Sequence, residues 1–317
     1  MLTELRRIRA FLAVARLQNF TRAAIELNVS QSALSVQIRQ LEEQLGTVLF
    51  DRNRRRVSVT PAAQDLLPRL ERIVHDIESV VADAHDASGV VRGTVTVATL
   101  PSLAGGLLPR AVATLTRQLP GITVRIVDAV AARVVDLAKC GEVDFAVGSM
   151  TRGDRDVICR LLRVDRFCAF VSPRHPLAKR KVLSLRELAG QPLILPARDS
   201  SVRARFEVAA HREGIAIKPA YEAVYNSTVL GLAREGLGVA VLTEMIAAYE
   251  ADAAALCTVA IRSPVIQREI VQIVPKGRPL SAAAERFSKV LREAARDDQE
   301  AQGAIADRDS CHAHSLA

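Results

Sequence analysis

The sequence predicts a mixed architecture: a small all-α head carrying a β-wing, one long linker helix, and an α/β body. Three observations predict it. Apolar spacings of three and four residues dominate the first sixty positions of the 317-residue chain. A strict heptad stripe follows, and beyond it short β-branched runs alternate with helical patterns. With 49% apolar and 25% charged residues the composition is that of an ordinary globular protein, which excludes wholesale disorder.

The head contains three helical stripes: Leu5, Ile8, Phe11, Leu12, Ala15; Phe20, Ala23, Ala24, Leu27; and Leu34, Ile38, Leu41, Leu45. Only Asn28-Val29-Ser30 separates the second from the third. Asn28 suits a left-handed helix end, Ser30 can accept from the free N–H groups of the next helix, and Val29 can plug the corner. This is a helix-turn-helix layout, and Ala23 and Ala24 are small enough for a close crossing. With the third stripe turned inward, Ser32, Val36 and Arg39 face outward, flanked by Gln31 and Ser35. In a DNA major groove, Gln can bond adenine twice, Ser can donate or accept, and Val suits a thymine methyl. A merely solvated face is the alternative. After Leu49-Phe50, Val57 and Val59 alternate with polar residues as a wing strand does, with Arg52, Arg54, Arg55 and Arg56 at the tip. Arginines there suit phosphates or a narrow minor groove. The expected DNA surface is therefore Phe20 to Arg39 together with those four arginines.

Charge supports this division. Residues 1–60 carry a net +5 and residues 61–89 a net −4, which leaves +7 of the total +8 for residues 90–317. In the acidic segment Leu66, Leu70, Ile73, Ile77, Val80 and Ala84 recur at intervals of four and three, the a/d seam of a coiled coil. The seam predicts pairing of two chains through Leu66, Leu70, Ile73, Ile77 and Val80; a helix packed on its own domain is the other reading. Asp86-Ala87-Ser88-Gly89 then reads as a hinge.

In the body, Val95–Ala98, Ile122–Val127, Phe145–Val147, Leu193–Leu195, Val239–Leu242 and Ile270–Val274 read as strands of a mainly parallel sheet. Three strand ends run into helix starts: Thr99-Leu100-Pro101-Ser102, Asp128-Ala129-Val130, and Asn226-Ser227-Thr228. Such ends aim N–H and hydroxyl groups at one point and suit a small anion, although ordinary helix caps look the same. From Asp297 to Ala317 the chain is rich in Asp, Ala, Gln and His and is expected to be unstructured.

One family resemblance runs through the head. Phe20-Thr21-Arg22-Ala23-Ala24, Leu27 to Ser35, Ile38, Leu41-Glu42, Leu45-Gly46, Leu49-Phe50-Asp51-Arg52 and Val59-Thr60-Pro61 resemble the LysR-type transcriptional regulators of bacteria. Four positions depart from that pattern: Asn19 for a usual Ser, Ser32 for Pro, Val36 for Arg, and Ala63 for Gly. The change at Val36 implies a different operator preference. The resemblance implies a winged helix-turn-helix at 3–60, a dimerisation helix at 61–89 and an effector-binding domain at 90–296. That domain would be periplasmic-binding-protein-like, with one lobe at 92–163 plus 268–296 and the other at 164–267. The implied effector cleft holds Thr99, Pro101, Ser102, Val130, Ser149, Ser201, Asn226 and Thr228. Arg133, Arg198 and Arg203 lie near these loops, so a small organic anion is the expected effector. The implied partners are double-stranded promoter DNA, further copies of the chain as dimer or tetramer, the effector and RNA polymerase.

Rival readings are weaker. No G-x-G-x-x-G, G-x-x-x-x-G-K, G-x-S-x-G or H-E-x-x-H occurs, which argues against an α/β enzyme with a basic appendage. Cys311-His312-Ala313-His314 is a poor metal site, and no cofactor or metal is expected. Five cysteines without C-x-x-C fit reduced thiols in a cytoplasmic protein. Cys159 and Cys168 leave a thiol-based redox sensor as the alternative regulator, although both fall in strand-like runs, where buried unreactive thiols are expected. No apolar stretch approaches the ~18 residues of a membrane span.

Overall fold

The computed structural model describes residues 2–51, 57–85, 91–149, 154–249, 253 and 255–311. The chain falls into two compact units, 1–89 with 140–142 and 90–139 with 143–317.

The first unit holds α1 (Leu2–Leu17), α2 (Phe20–Glu26), α3 (Gln31–Leu45), a ribbon of β1 (Phe50–Asp51) and β2 (Ser58–Val59), and α4 (Pro61–His85). Phe11 and Val14 of α1, Ala23 and Ala24 of α2, and Leu34, Ile38 and Leu41 of α3 close one core. Phe50 packs against both Phe11 and Phe20, with ring centroids 5.5 and 5.6 Å apart, and so fastens the ribbon to two helices. Leu45 departs from the inward stripe and is 40% exposed. It is the last residue of α3, where Gly46 turns the chain away at a left-handed φ of 65°.

The seam on α4 is shared between two surroundings. Leu66 and Leu70 pack into the head's own core, which corrects their assignment to a second chain. Further along, Ile73 and Val80 are 43% and 67% exposed, and Ile77 is half-buried. The stripe open to a partner therefore begins at Ile73.

The second unit starts with β3 (Gly93–Thr99), α5 (Pro101–Ala104), α6 (Leu107–Gln118), β4 (Ile122–Asp128), α7 (Ala131–Cys140) and β5 (Phe145–Ser149). Then come β6 (Val157–Val171), β7 (Val182–Ser184), α8 (Leu185–Ala189), β8 (Leu193–Pro196), α9 (Ser201–Arg212), β9 (Pro219–Ala223) and α10 (Asn226–Arg234). It finishes with β10 (Val239–Thr243), α11 (Glu244–Tyr249), β11 (Cys257–Ser263), β12 (Gln267–Pro275) and α12 (Ala282–Cys311). The strand order is β4-β3-β5-β12-β6-β10-β8-β9, with β11 also on β6 and β7 beyond it. The sheet is mixed rather than mainly parallel. β3 runs parallel to β4 and β5, and β8 to β9 and β10, but β6 and β12 are antiparallel to each other and to β10 and β5 respectively. The reason is topological: β6 carries the chain from one lobe to the other and β12 brings it back.

Two apolar cores result. One gathers residues of β3, α6, β5, β12 and α12, the other residues of β8, α9, α10, β10 and the second half of β6. The short helix α11 joins them, since Met245 lies in the first core and its neighbour Ile246 in the second. β6 is one strand of 15 residues, where the sequence reads as two runs interrupted by Asp165-Arg166. The expectation of an unstructured segment from Asp297 is also corrected: α12 continues to Cys311. Ala, Glu, Arg and Gln are good helix formers, and 282–311 contains one Gly and no Pro. His312 and His314 lie outside the described residues.

Candidate functional site

In the first unit, α2 and α3 meet as the local sequence requires. The Asn19 side chain accepts from the Arg22 N–H at 3.0 Å, so the Asn that departs from the usual Ser still caps α2. Asn28 takes a positive φ of 53°, and the Ser30 hydroxyl accepts from the Ala33 N–H at 3.1 Å to cap α3. Leu34 and Ile38 are buried, which turns Gln31, Ser32, Val36 and Arg39 to the exposed side; Ser35 is half-buried. Ser32 shares a 3.0 Å hydrogen bond with Ser30, so its hydroxyl is held at the mouth of the helix. The wing is anchored from below. Glu42 Oε1 accepts from the Leu49 N–H at 2.9 Å, and the Thr60 hydroxyl donates to the Val48 carbonyl at 2.7 Å. Arg52, Arg54, Arg55 and Arg56 lie outside the described residues.

In the second unit, the C-terminal ends of the parallel strands carry the predicted cleft residues. Thr99 ends β3 and is fully buried; its carbonyl accepts from the Ala129 N–H at 2.9 Å, which ties the end of β4 to that of β3. The other lobe repeats the device, because the Ala197 N–H donates to the Ala223 carbonyl at 2.9 Å and ties the end of β8 to that of β9. Pro101 and Ser102 open α5, Ser201 opens α9 and Asn226 opens α10.

A buried arginine that the sequence did not single out links two of these positions. Arg268, at the start of β12, donates through Nη2 to Ser102 Oγ at 3.2 Å and through Nη1 to Ser201 Oγ at 3.2 Å. It also donates through Nη2 to Thr243 Oγ1 at 3.3 Å and through Nε to Asp165 Oδ2 at 2.9 Å. The other oxygen of Asp165 accepts from the Met245 N–H at 3.1 Å. One guanidinium thus holds a helix start from each lobe, while its charge is matched by a carboxylate on the crossing strand. Beside it, burial raises the Glu244 carboxyl above its ordinary value.

The remaining predicted residues do not share this arginine. No hydrogen bond of the described residues joins Val130, Ser149, Asn226 or Thr228 to Arg268. Val130 is 43% exposed and Thr228 is exposed. The arginines that motivated an anionic effector also divide. Arg203 is 1% exposed and held by Glu207 at 2.7 Å and Glu222 at 3.5 Å, so it is a structural brace and offers no open charge to a ligand. Arg133 and Arg198 are exposed.

The thiols do not form a pair. Cys159 and Cys168 lie nine residues apart on the single strand β6, about 30 Å at ~3.3 Å per residue, far beyond disulfide reach. Cys168 is buried as expected, but Cys159 is exposed, which corrects the expectation of two buried thiols: β6 runs exposed from Ile158 to Leu161. Burial raises the Cys168 thiol well above its ordinary value and partial burial raises Cys159 as well, which disfavours the reactive thiolate in both. Among the described residues no group of three metal-binding side chains occurs, and no helix is long and apolar enough to cross a membrane.

Comparison with known proteins gives two family matches. The family described as "LysR substrate binding domain" matches residues 88–296, and "Bacterial regulatory helix-turn-helix protein, lysR family" matches residues 5–64. The uncharacterized HTH-type transcriptional regulator YbhD of Escherichia coli K12 is 30% identical over 302 residues, covering 94% of this chain and 93% of that protein. Full-length OxyR C199D from Pseudomonas aeruginosa superposes with a TM-score of 0.72 at 22% identity, covering 93% of this chain and 94% of that one. Full-length CbnR complexed with its target DNA superposes with a TM-score of 0.71 at 20% identity, covering 92% and 99%.

Proposed function

The chain belongs to the LysR family of bacterial helix-turn-helix transcriptional regulators, and on that premise we propose how its residues divide the work. A member of this family is a DNA-binding regulator and not an enzyme. For this chain, α3 reads promoter DNA through Gln31, Ser32, Ser35, Val36 and Arg39. The observation that carries this is the open face of Gln31, Ser32, Val36 and Arg39 above buried Leu34 and Ile38, with half-buried Ser35 beside it, on a helix capped by Ser30. Arg52, Arg54, Arg55 and Arg56 supply phosphate contacts, which give affinity and salt dependence more than base choice.

The α4 stripe from Ile73 to Val80 pairs two chains, in line with its exposure. A small-molecule effector binds between the lobes near Ser102 and Ser201, whose convergence on Arg268 supports a site there. It acts by preferring one arrangement of the lobes, and the shift it produces is limited to its differential affinity, typically ~1–3 kcal/mol. Contact with RNA polymerase and a cytoplasmic location complete the proposal.

The direct test is selection of duplex DNA from a random pool by the purified full-length protein, with fragment affinity measured at low and high salt. A split inverted-repeat site whose affinity falls steeply with salt supports a paired reader. Sequence-blind binding overturns the assignment of the α3 residues.

A further inference from the structure

Of the total charge, the body carries the larger surplus, +7, and DNA reading by the head does not use it. Two buried arginines of the body are matched: Arg268 by Asp165, and Arg203 by Glu207 and Glu222. Positive charge gathers elsewhere, on the first lobe. A groove of about 940 Å³ runs between α12 and the β6–β12 strands, and Arg160, Arg278, Arg286, Lys289 and Arg292 line it against the single acid Glu285. Arg160, Arg286 and Lys289 are exposed and form no ion pair among the described residues. Arg286, Lys289 and Arg292 follow one another at three-residue steps on α12, so they stand along one side of that helix.

The floor is apolar. Ile158, Val274, Pro275 and Leu280 face the same space, and Ile158 is 44% exposed although it lies on a strand. In its first-lobe half, β6 pairs with β12 alone among the described strands, which leaves this floor at the sheet's edge. Cations around a concave apolar floor suit a ligand that combines negative charge with an apolar body. A volume in the range of ~300–1,000 Å³ is that of small-molecule sites, whereas a DNA duplex presents a convex polar backbone to which such a floor adds nothing.

We propose that this groove is a second ligand site, separate from the cleft, that takes an organic anion with an apolar body. Guanidinium and ammonium groups fix the carboxylate, sulfonate or phosphate, and Ile158 and Leu280 hold the skeleton.

The test uses full-length protein and the fluorescent aromatic anion anilinonaphthalene sulfonate, with the uncharged phenylnaphthylamine as its counterpart. The proposal expects saturable binding of the sulfonate that weakens with salt. It also expects a loss of about tenfold or more in Arg286→Gln/Lys289→Gln, and retention in the charge-conserving Arg286→Lys. Both altered positions are exposed, and an unchanged circular dichroism spectrum verifies the fold. Equal binding of the uncharged dye, or no change in the double variant, overturns the proposal. So does loss of binding in Ser102→Ala, which places the dye in the cleft, or displacement of the dye by random duplex DNA, which assigns the groove to nucleic acid.

Discussion

Arg268 and Asp165 face each other across adjacent strands with 2.9 Å between Nη2 and Oδ2, and their side chains are 1% and 0% exposed. Buried pairs of this kind are costly to break because the survivor keeps its charge without water or partner. Arg268→Ala is therefore expected to lower unfolding free energy by ~3–5 kcal/mol, while Arg268→Met with Asp165→Leu recovers most of the loss. Urea denaturation of the three proteins measures both; a double variant no better than the single contradicts the account.

Capping of the reading helix gives a smaller effect. Ser30→Ala removes the oxygen that accepts from the Ala33 N–H, with an expected loss of about 1 kcal/mol. Ser30→Asp should restore it, and thermal unfolding of the two variants distinguishes a cap from a bystander.

Base reading and phosphate contact separate by their response to sequence. Gln31→Ala is expected to cost ~1–3 kcal/mol on a selected site and little on unrelated DNA. Arg55→Ala should weaken both alike and flatten the salt slope. Parallel titrations on the two DNAs decide, since an equal loss on both from Gln31→Ala removes it from the base-reading set.

Glu187 is a local contributor to acid stability. Hydrogen bonds from the Ser184 N–H and hydroxyl and from Arg180 hold the Glu187 carboxylate down to about 2. Because the folded value lies below the ordinary 4.5, this contribution is present above pH 4.5 and disappears as pH falls toward 2. The difference in stability between the native chain and Glu187→Gln should accordingly shrink across that window. A difference independent of pH would dissociate the carboxylate's charge from its capping role.

Peroxide treatment is expected to leave no Cys159–Cys168 disulfide within one folded chain, since both thiols stand on one extended strand. Peptide mapping by mass spectrometry reads this directly, and the linked peptide from monomeric, folded protein would contradict it.

Much of the head was legible because its signals are local. Leu34, Ile38 and Leu41 reveal their face within eight residues, and Asn28 and Ser30 mark the turn by their own chemistry. Leu45 was misplaced because periodicity carries no information about where the core ends. In the body, Thr99 and Ser102 were found as strand-end residues and Ser201 through the family resemblance, but the arginine that joins Ser102 to Ser201 was not. Arg268 and Asp165 are 103 positions apart, and no spacing rule spans that distance. The available hint was a charge set within apolar strand runs, at Asp165 and just before Ile270, where an unpartnered charge is unstable. The same charge made β6 read as two strands. The parallel-sheet expectation failed for a related reason: direction follows from the two crossings between lobes, which local sequence does not record.

The return of β12 beside β6 has a consequence for modularity. Asp165 and Arg268 are register partners, so the chain leaves the first lobe and re-enters it at neighbouring rungs of one ladder. The second lobe is then an insertion whose two ends are already stapled together by an ion pair. A shortened chain that joins these ends by a tight turn retains β4, β3, β5, β12 and the first half of β6 as a continuous sheet with its own core, and the inserted lobe becomes an exchangeable cassette.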